Sequence, residues 1–229
     1  SAQGTSPPLL GHTAVYDPIG ARMLVFGGNF SPNNELWSCD LSGPPRWNQL
    51  FPAGTLPEPR TWHTMTYDPI RDRMILFGGV DGTQALNDVW ELSFTGAPTW
   101  TRLTPVSPPS GRRSQSAIFD PVRDRMLIFG GVDALGYHAD VWSLLLTDPL
   151  FWTNPSPIPP GPSPRYSHSA IYDPLRDRMV IFGGDPVNNT TWALSLGIPS
   201  GQWVQLLPAN PPSSRYGHTA IYDPVRDRM

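Results

Sequence analysis

Histidine recurs about every fifty residues in this chain and is the first residue type whose spacing suggests chemistry. The column comprises His12, His63, His168 and His218, with Gln115 in its third position. Neutral imidazole binds transition metals readily, and a bound metal activates water. A ring of these histidines would therefore suit a hydrolase acting on an ester, a phosphoester or a glycoside. Local hydrogen bonding by each histidine is the alternative, while His138 belongs to no column and has no evident partner.

Arginine forms a second column, three residues before the first. Its members are Arg60, Arg112, Arg165 and Arg215. Guanidinium groups that converge on one rim would bind carboxylates, phosphates or an acidic peptide segment. The alternative is that each arginine caps loop carbonyls or pairs with a nearby aspartate. Both columns are predicted ligand-binding residues. The identity of any cofactor stays open, and a metal belongs only to the hydrolase interpretation.

The composition excludes several partners and fold classes. The 229 residues include 29 Pro and 21 Gly, and all 16 basic residues are Arg. Pro or Gly interrupts the chain every few residues, which excludes a helical bundle. A sequence pI of about 5.9 argues against nucleic acid and anionic membranes as partners. No apolar run is long enough for membrane insertion, and the lone Cys39 leaves the compartment undefined.

A repeat of about fifty residues organises the whole sequence. Tyr/Phe-Asp-Pro recurs with its aspartate at Asp17, Asp68, Asp120, Asp173 and Asp223, beside arginines that predict local ion pairs. Double glycines begin at Gly27, Gly78, Gly130 and Gly183, and each follows an apolar run. Two tryptophan columns complete the unit, and only Trp62 lies outside them.

Each unit predicts four short antiparallel strands. The apolar run, such as residues 74–77, predicts a second strand covered on both faces. The half-polar run at 100–103 predicts an outer fourth strand. Because one such unit buries little of its apolar surface alone, successive units must stack, and radial stacking gives a propeller.

These features together resemble the kelch repeat, from about Gly11 to Met229. The resemblance implies an all-β, kelch-type β-propeller of four-stranded antiparallel blades, with the first strand innermost. It also implies a local, inter-blade hydrogen bond for the His column, and binding of acidic peptides through arginines at the channel mouth in some members. We expect a single domain over residues 1–229, with blades at about 12–51, 62–104, 114–154 and 167–207 and a partial fifth at 216–229.

Four units and the start of a fifth are fewer than the six or seven blades usual in the family. We therefore expect either a piece of a longer propeller or completion of the ring by oligomerisation. An unclosed propeller exposes apolar faces and the edge of the predicted strand at 216–222, which favours self-association.

Two functions follow from these patterns. The first is a binding module that presents its loops and channel mouth to a protein, an acidic peptide, a glycan or a small anion. The second is the hydrolase built from the His and Arg columns, which we rank lower because the sequence contains no catalytic motif. The Arg-only, Pro-rich composition suggests a bacterial source.

Overall fold

The computed structural model describes residues 7, 10–29, 32–155, 159–197 and 201–229, and every regular element in these ranges is a β-strand. Within the same ranges, no helix has the length and apolar character that crossing a membrane requires. The residues form two compact units, the first made of 1–105 and 110–113 and the second of 106–109 and 114–229. The single domain predicted over residues 1–229 stays a prediction.

Two blades make up the first unit, and the four main strands of each lie side by side in chain order. The first blade consists of β1 (Thr13–Asp17), β2 (Arg22–Phe26), β3 (Leu36–Asp40) and β4 (Arg46–Leu50). The second consists of β5 (Ala53–Gly54), β6 (Thr64–Asp68), β7 (Arg73–Phe77), β8 (Val89–Ser93) and β9 (Thr99–Leu103). The short β5 pairs in parallel with β9, whereas the other neighbours are antiparallel.

The second unit repeats this pattern. Its first blade contains β10 (Ser116–Asp120), β11 (Arg125–Phe129), a small hairpin of β12 (Val132–Asp133) and β13 (Gly136–Tyr137), then β14 (Val141–Leu145) and β15 (Phe151–Thr153). Its second blade contains β16 (Ser169–Asp173), β17 (Arg178–Phe182), β18 (Thr191–Ser195) and β19 (Trp203–Leu206). The predicted all-β class with four-stranded antiparallel blades is confirmed.

Each unit has an apolar core between its two blades. In the first unit, Phe26 of β2 packs with Leu76 of β7 and Trp100 of β9, and the Phe26 and Trp100 ring centroids are 5.0 Å apart. All five residues of β7 are buried, so the predicted two-sided cover of the second strand is confirmed. Phe129 and Trp203 hold equivalent positions in the second unit, with ring centroids 5.1 Å apart. The tryptophan of the outer strand thus anchors one blade to the preceding one.

The turn between first and second strands carries the predicted ion pairs. Asp68 accepts hydrogen bonds from the backbone N–H of Ile70 and from the guanidinium groups of Arg71 and Arg73, at 2.9–3.0 Å. Asp72 in this turn has φ of 49°, the left-handed conformation that asparagine and aspartate tolerate best among residues with a side chain. The equivalent pairs of Asp120 and Asp173 confirm local pairing.

The strand predicted for the fifth repeat at 216–222 does not form, which corrects that prediction. Residues 216–229 contain one isolated bridge, between Asp223 and Arg228. In the complete repeats this Asp–Arg pair is the first of five along the hairpin, as in Asp17–Arg22. Among the described residues, no strand pairs with residues 216–222. Ile221 and Val225 are 79% and 87% exposed.

Candidate functional site

The Arg column predicted for anion binding lies largely inside the units. Arg60 has no exposed surface, and its Nη1 and Nη2 atoms donate to the two carboxylate oxygens of Asp88 at 2.7 and 2.8 Å. Nη1 also donates to the Gly78 carbonyl at 3.1 Å. The Arg60 backbone bonds to the preceding blade, donating to the Asn33 carbonyl and accepting from the Gly28 N–H. Arg60 therefore joins the two blades of the first unit.

The other members of the column differ in their acceptors. Arg165 is buried and donates through Nη1 to the Gly183 carbonyl, Asn188 and Thr190 at 2.9–3.1 Å. Because these acceptors are neutral, desolvation lowers the pKa of Arg165 to about 10. Arg112 is 1% exposed and Arg215 is exposed, and each donates to the serine two residues before it. Anion binding by this column stays a prediction, and its three buried members would have to break these bonds to take part.

The His column connects the first strands of adjacent blades within each unit. The Nε2 atom of His63 contacts the Thr13 hydroxyl, and Nε2 of His168 lies 2.7 Å from the Ser116 hydroxyl. His218 makes the same contact with Ser169 at 2.9 Å. Burial, followed by the charge of the neighbouring arginine, lowers the pKa of both His63 and His168 to about 3. These imidazoles are therefore neutral at pH 7.

Two further histidines complete this comparison. His12 is exposed at the start of the first repeat, and burial of part of its ring lowers its pKa. His138, for which the sequence shows no evident partner, has its Nε2 atom 2.9 Å from a carboxylate oxygen of Asp133. Within the described ranges, no group of three or more His, Cys, Asp or Glu side chains is arranged to hold a metal ion. Metal binding by the His column stays a prediction.

Trp62, the tryptophan outside the two repeat columns, occupies an unusual backbone position. Its φ is 52°, in the left-handed region that a bulky residue rarely adopts. The same column holds Gly11, Ser114, Ser167 and Gly217, all with φ between 53° and 68°. The Trp62 amide donates to the Gly11 carbonyl at 2.7 Å, which fixes this conformation. The repeat therefore requires a left-handed residue here, and only the second repeat fills the position with a large aromatic side chain.

The Trp62 indole forms the floor of a cleft in the first unit. The cleft has a volume of about 370 Å³ and is lined by Leu10, Asn29, Pro32, Thr61, Trp62, Val80, Gly82 and Arg113. The indole is 41% exposed, and its pyrrole edge packs so closely on Gly11 that a Cβ there would lie 2.9 Å from Nε1. Paired backbone hydrogen bonds between Thr61 and Val80, at 2.9 and 3.0 Å, keep the cleft wall rigid.

Arg113 supplies the charge of this cleft. Its guanidinium carbon lies 5.1 Å from the centroid of the Trp62 ring, which is the distance of a cation–π contact. Among the residues that the structure describes, Arg113 forms no salt bridge. Arg113 follows the buried Arg112 directly and is itself partly exposed, whereas the predicted column contains Arg112. The described lining of the cleft thus combines an aromatic face, apolar walls and the guanidinium of Arg113.

Comparison with known proteins assigns the family. Residues 1–149, more than half of the chain, match the model of the KLHDC2/KLHL20/DRC7 Kelch-repeats domain. The chain belongs to the kelch-repeat family. Its fold class is therefore the kelch-type β-propeller, and kelch propellers are commonly protein-interaction modules.

Several larger proteins contain a region similar to this kelch chain. The dynein alpha chain of the flagellar outer arm from Chlamydomonas reinhardtii is 31% identical over 206 residues, which cover 80% of this chain and 4% of the dynein chain. A leucine-zipper-like transcriptional regulator 1 homolog and host cell factor, both from Drosophila melanogaster, are each 28% identical, over 80% and 72% of this chain. The matches cover 20% and 12% of these two proteins. The chain thus spans at most a fifth of these relatives, all of them eukaryotic, which gives the predicted bacterial source no support.

Proposed function

We propose that this kelch chain is a binding module that holds an acidic segment of a partner protein in the Trp62–Arg113 cleft. Arg113 is the observation that carries the proposal, because a cation stacked on an aromatic ring, with no salt bridge to a carboxylate among the described residues, is preorganised for an incoming anion. The family supports a protein partner, and the cleft supports an acidic one.

The size of the cleft favours a peptide segment over a folded surface. A volume of about 370 Å³ is near the lower end of the range for ligand pockets and accommodates one or two side chains. The apolar lining provides contact area around the charge, so binding energy does not depend on one exposed ion pair, which alone contributes little. A small anion would use the charge and leave the apolar walls in water. A glycan would use the indole and leave Arg113 without a carboxylate.

The hydrolase remains the alternative proposal. It requires imidazoles with access to substrate or metal, whereas His63 and His168 are buried and bonded to the hydroxyl groups of Thr13 and Ser116. Their low pKa values also make them weak bases near pH 7. These contacts support the binding module, and an ester, phosphoester and glycoside assay of the wild type and of His63→Gln tests the alternative.

A peptide display selection tests the proposed function. Wild-type protein and Arg113→Gln are panned against one random library, and recovered sequences are compared. We expect wild type to enrich peptides with Asp or Glu, and Arg113→Gln to lose that enrichment. Arg102→Gln is the matched control, because Arg102 is an exposed arginine 5.9 Å from the ring centroid of Trp90 and lies outside the cleft. The proposal fails if acidic peptides are not enriched, or if both variants lose them equally.

Self-association is a separate proposal for the same chain. Its support is the apolar surface of the fifth repeat, where Tyr216, Ile221 and Val225 are 61–87% exposed, together with the exposed Arg215. In the earlier repeats the equivalent arginines are buried. A second copy would cover this surface, and Ile221→Glu should then reduce association. Light scattering that shows one 25.3 kDa species over a wide concentration range would overturn this proposal.

A further inference from the structure

Trp62 adopts a strained backbone conformation, and the fold does not require a tryptophan at this position. Gly or Ser fills the same left-handed position in every other repeat, and a large residue in this conformation strains the backbone. The neighbouring Gly11 leaves room for the indole, because a Cβ there would lie 2.9 Å from Nε1. Such strain is concentrated at ligand-binding sites, where it is part of a preorganised surface.

The position of the indole defines what a ligand group would meet. Its pyrrole edge is against Gly11 and Arg113 lies over the ring, yet 41% of the side chain remains exposed in the cleft. Leu10, Pro32 and Val80 form apolar walls around it. A group that fits must be apolar, compact and flat enough to lie on an aromatic surface, and it must place a carboxylate within reach of Arg113.

We propose that Trp62 determines specificity by stacking on a proline directly beside the acidic residue that pairs with Arg113. This inference rests on the proposed function and adds the identity of the neighbouring residue. The pyrrolidine ring is rigid, so its binding loses little conformational entropy, and aromatic-lined grooves bind proline-containing segments in an extended conformation. A serine in place of that proline would leave the indole and the apolar walls without a matching surface.

The test measures binding of short fluorescent peptides of Gly and Ser that carry one Glu with Pro, Leu or Ser beside it. Fluorescence anisotropy gives the affinity for wild type, Trp62→Gly and Trp62→Phe. We expect wild type to bind the Glu-Pro peptide roughly tenfold more tightly than the Glu-Ser peptide, the size of effect that one good aromatic contact has on an affinity. Trp62→Gly should lose this preference. Trp62→Phe keeps an aromatic ring and should retain part of the preference, so it tests the inference even if the glycine variant fails to fold.

The control and the outcomes separate this inference from the proposed function. Ser167→Gly makes the same backbone change in the second unit and should leave peptide preference unchanged. If wild type binds all Glu peptides equally and Arg113→Gln weakens them all, the role of Trp62 is overturned and the acidic-segment proposal stands. If the Glu-Leu peptide binds as tightly as Glu-Pro, the choice of proline is overturned. If no Glu peptide binds, both proposals fail.

Discussion

Arg60 and Asp88, which are 28 residues apart in sequence, form a bidentate ion pair with Nη1–Oδ1 and Nη2–Oδ2 distances of 2.7 and 2.8 Å. Asp88 also accepts from the Trp90 indole N–H at 2.6 Å, so its carboxylate accepts three hydrogen bonds. Burial raises the pKa of Asp88, and the bonds from Arg60 and Trp90 more than offset this, so the net shift is downward. The carboxylate is therefore charged at neutral pH and balances a guanidinium that has no exposed surface.

Asp88→Ala should destabilise the chain strongly, because it leaves Arg60 as an uncompensated buried charge. We expect a loss of about 3 kcal/mol in the free energy of unfolding, measured by urea titration. Glu58→Ala is the control, since the Glu58 side chain is exposed and should change the unfolding free energy by less than about 0.5 kcal/mol. Equal effects of the two substitutions would show that the ion pair does not stabilise the blade contact.

Thr190→Asp should have the opposite effect. Thr190 holds the position of Asp88 in its repeat. Arg165 donates to Thr190, Asn188 and the Gly183 carbonyl, and among the described residues it forms no salt bridge with a carboxylate. A carboxylate here would pair with the buried guanidinium and raise its lowered pKa. We expect a gain of about 1 kcal/mol in the unfolding free energy. Destabilisation would indicate that desolvation of the new carboxylate exceeds the attraction.

The His63 imidazole should make stability depend on pH below neutrality. Its pKa falls from 6.5 to about 3 on folding, so the folded state binds fewer protons. The stability that depends on neutral His63 is complete above pH 6.5 and is lost as pH falls from 6.5 toward 3. His63→Gln reproduces Gln115 of the third repeat and removes this titration. As the pH falls from 7 to 4.5, the unfolding free energy of the variant minus that of the wild type should increase. A difference independent of pH would contradict the assignment.

Gly27→Ala should disrupt the contact between the first double glycine and the Arg60 backbone. Gly27 has φ of 62°, and a Cβ would lie 2.7 Å from the Arg60 carbonyl oxygen. Strain and displacement of this backbone together should lower the unfolding free energy by at least about 2 kcal/mol. Gly43→Ala provides the control, because nothing lies within 4 Å of a Cβ at that position and its φ is not positive. Similar melting temperatures for the two variants would contradict the predicted clash.

Much of the fold could be predicted because the repeat places the same turn chemistry at each boundary. Asp68 and its arginines are close in sequence, so their ion pairs follow from local spacing. The partner of Arg60 is in a loop 28 residues away, and sequence spacing alone does not distinguish that acceptor from an external anion. The strand of the fifth repeat was predicted from the repeat pattern, but a strand also requires a neighbour to pair with.

The candidate site was harder to predict, because its main feature is a backbone angle. Trp62 lies outside both tryptophan columns, and its φ of 52° matches the φ values of a column that otherwise contains Gly and Ser. That column is visible in the aligned repeats, and the substitution of Gly or Ser by Trp was the available signal. Arg113 offered no such signal, since burial of Arg112 and partial exposure of Arg113 depend on the packing of the linker.

Arg113 is the group on which the proposed binding of an acidic segment depends most directly. Isothermal titration of one selected acidic peptide into wild type, Arg113→Gln and Arg102→Gln compares two variants with the same net charge. We expect Arg113→Gln to weaken binding roughly tenfold to a hundredfold, the effect of losing a charge-assisted hydrogen bond, and Arg102→Gln to change it less than about twofold. Equal affinities of the two variants for the peptide would contradict the assignment of the Trp62–Arg113 cleft as the binding site.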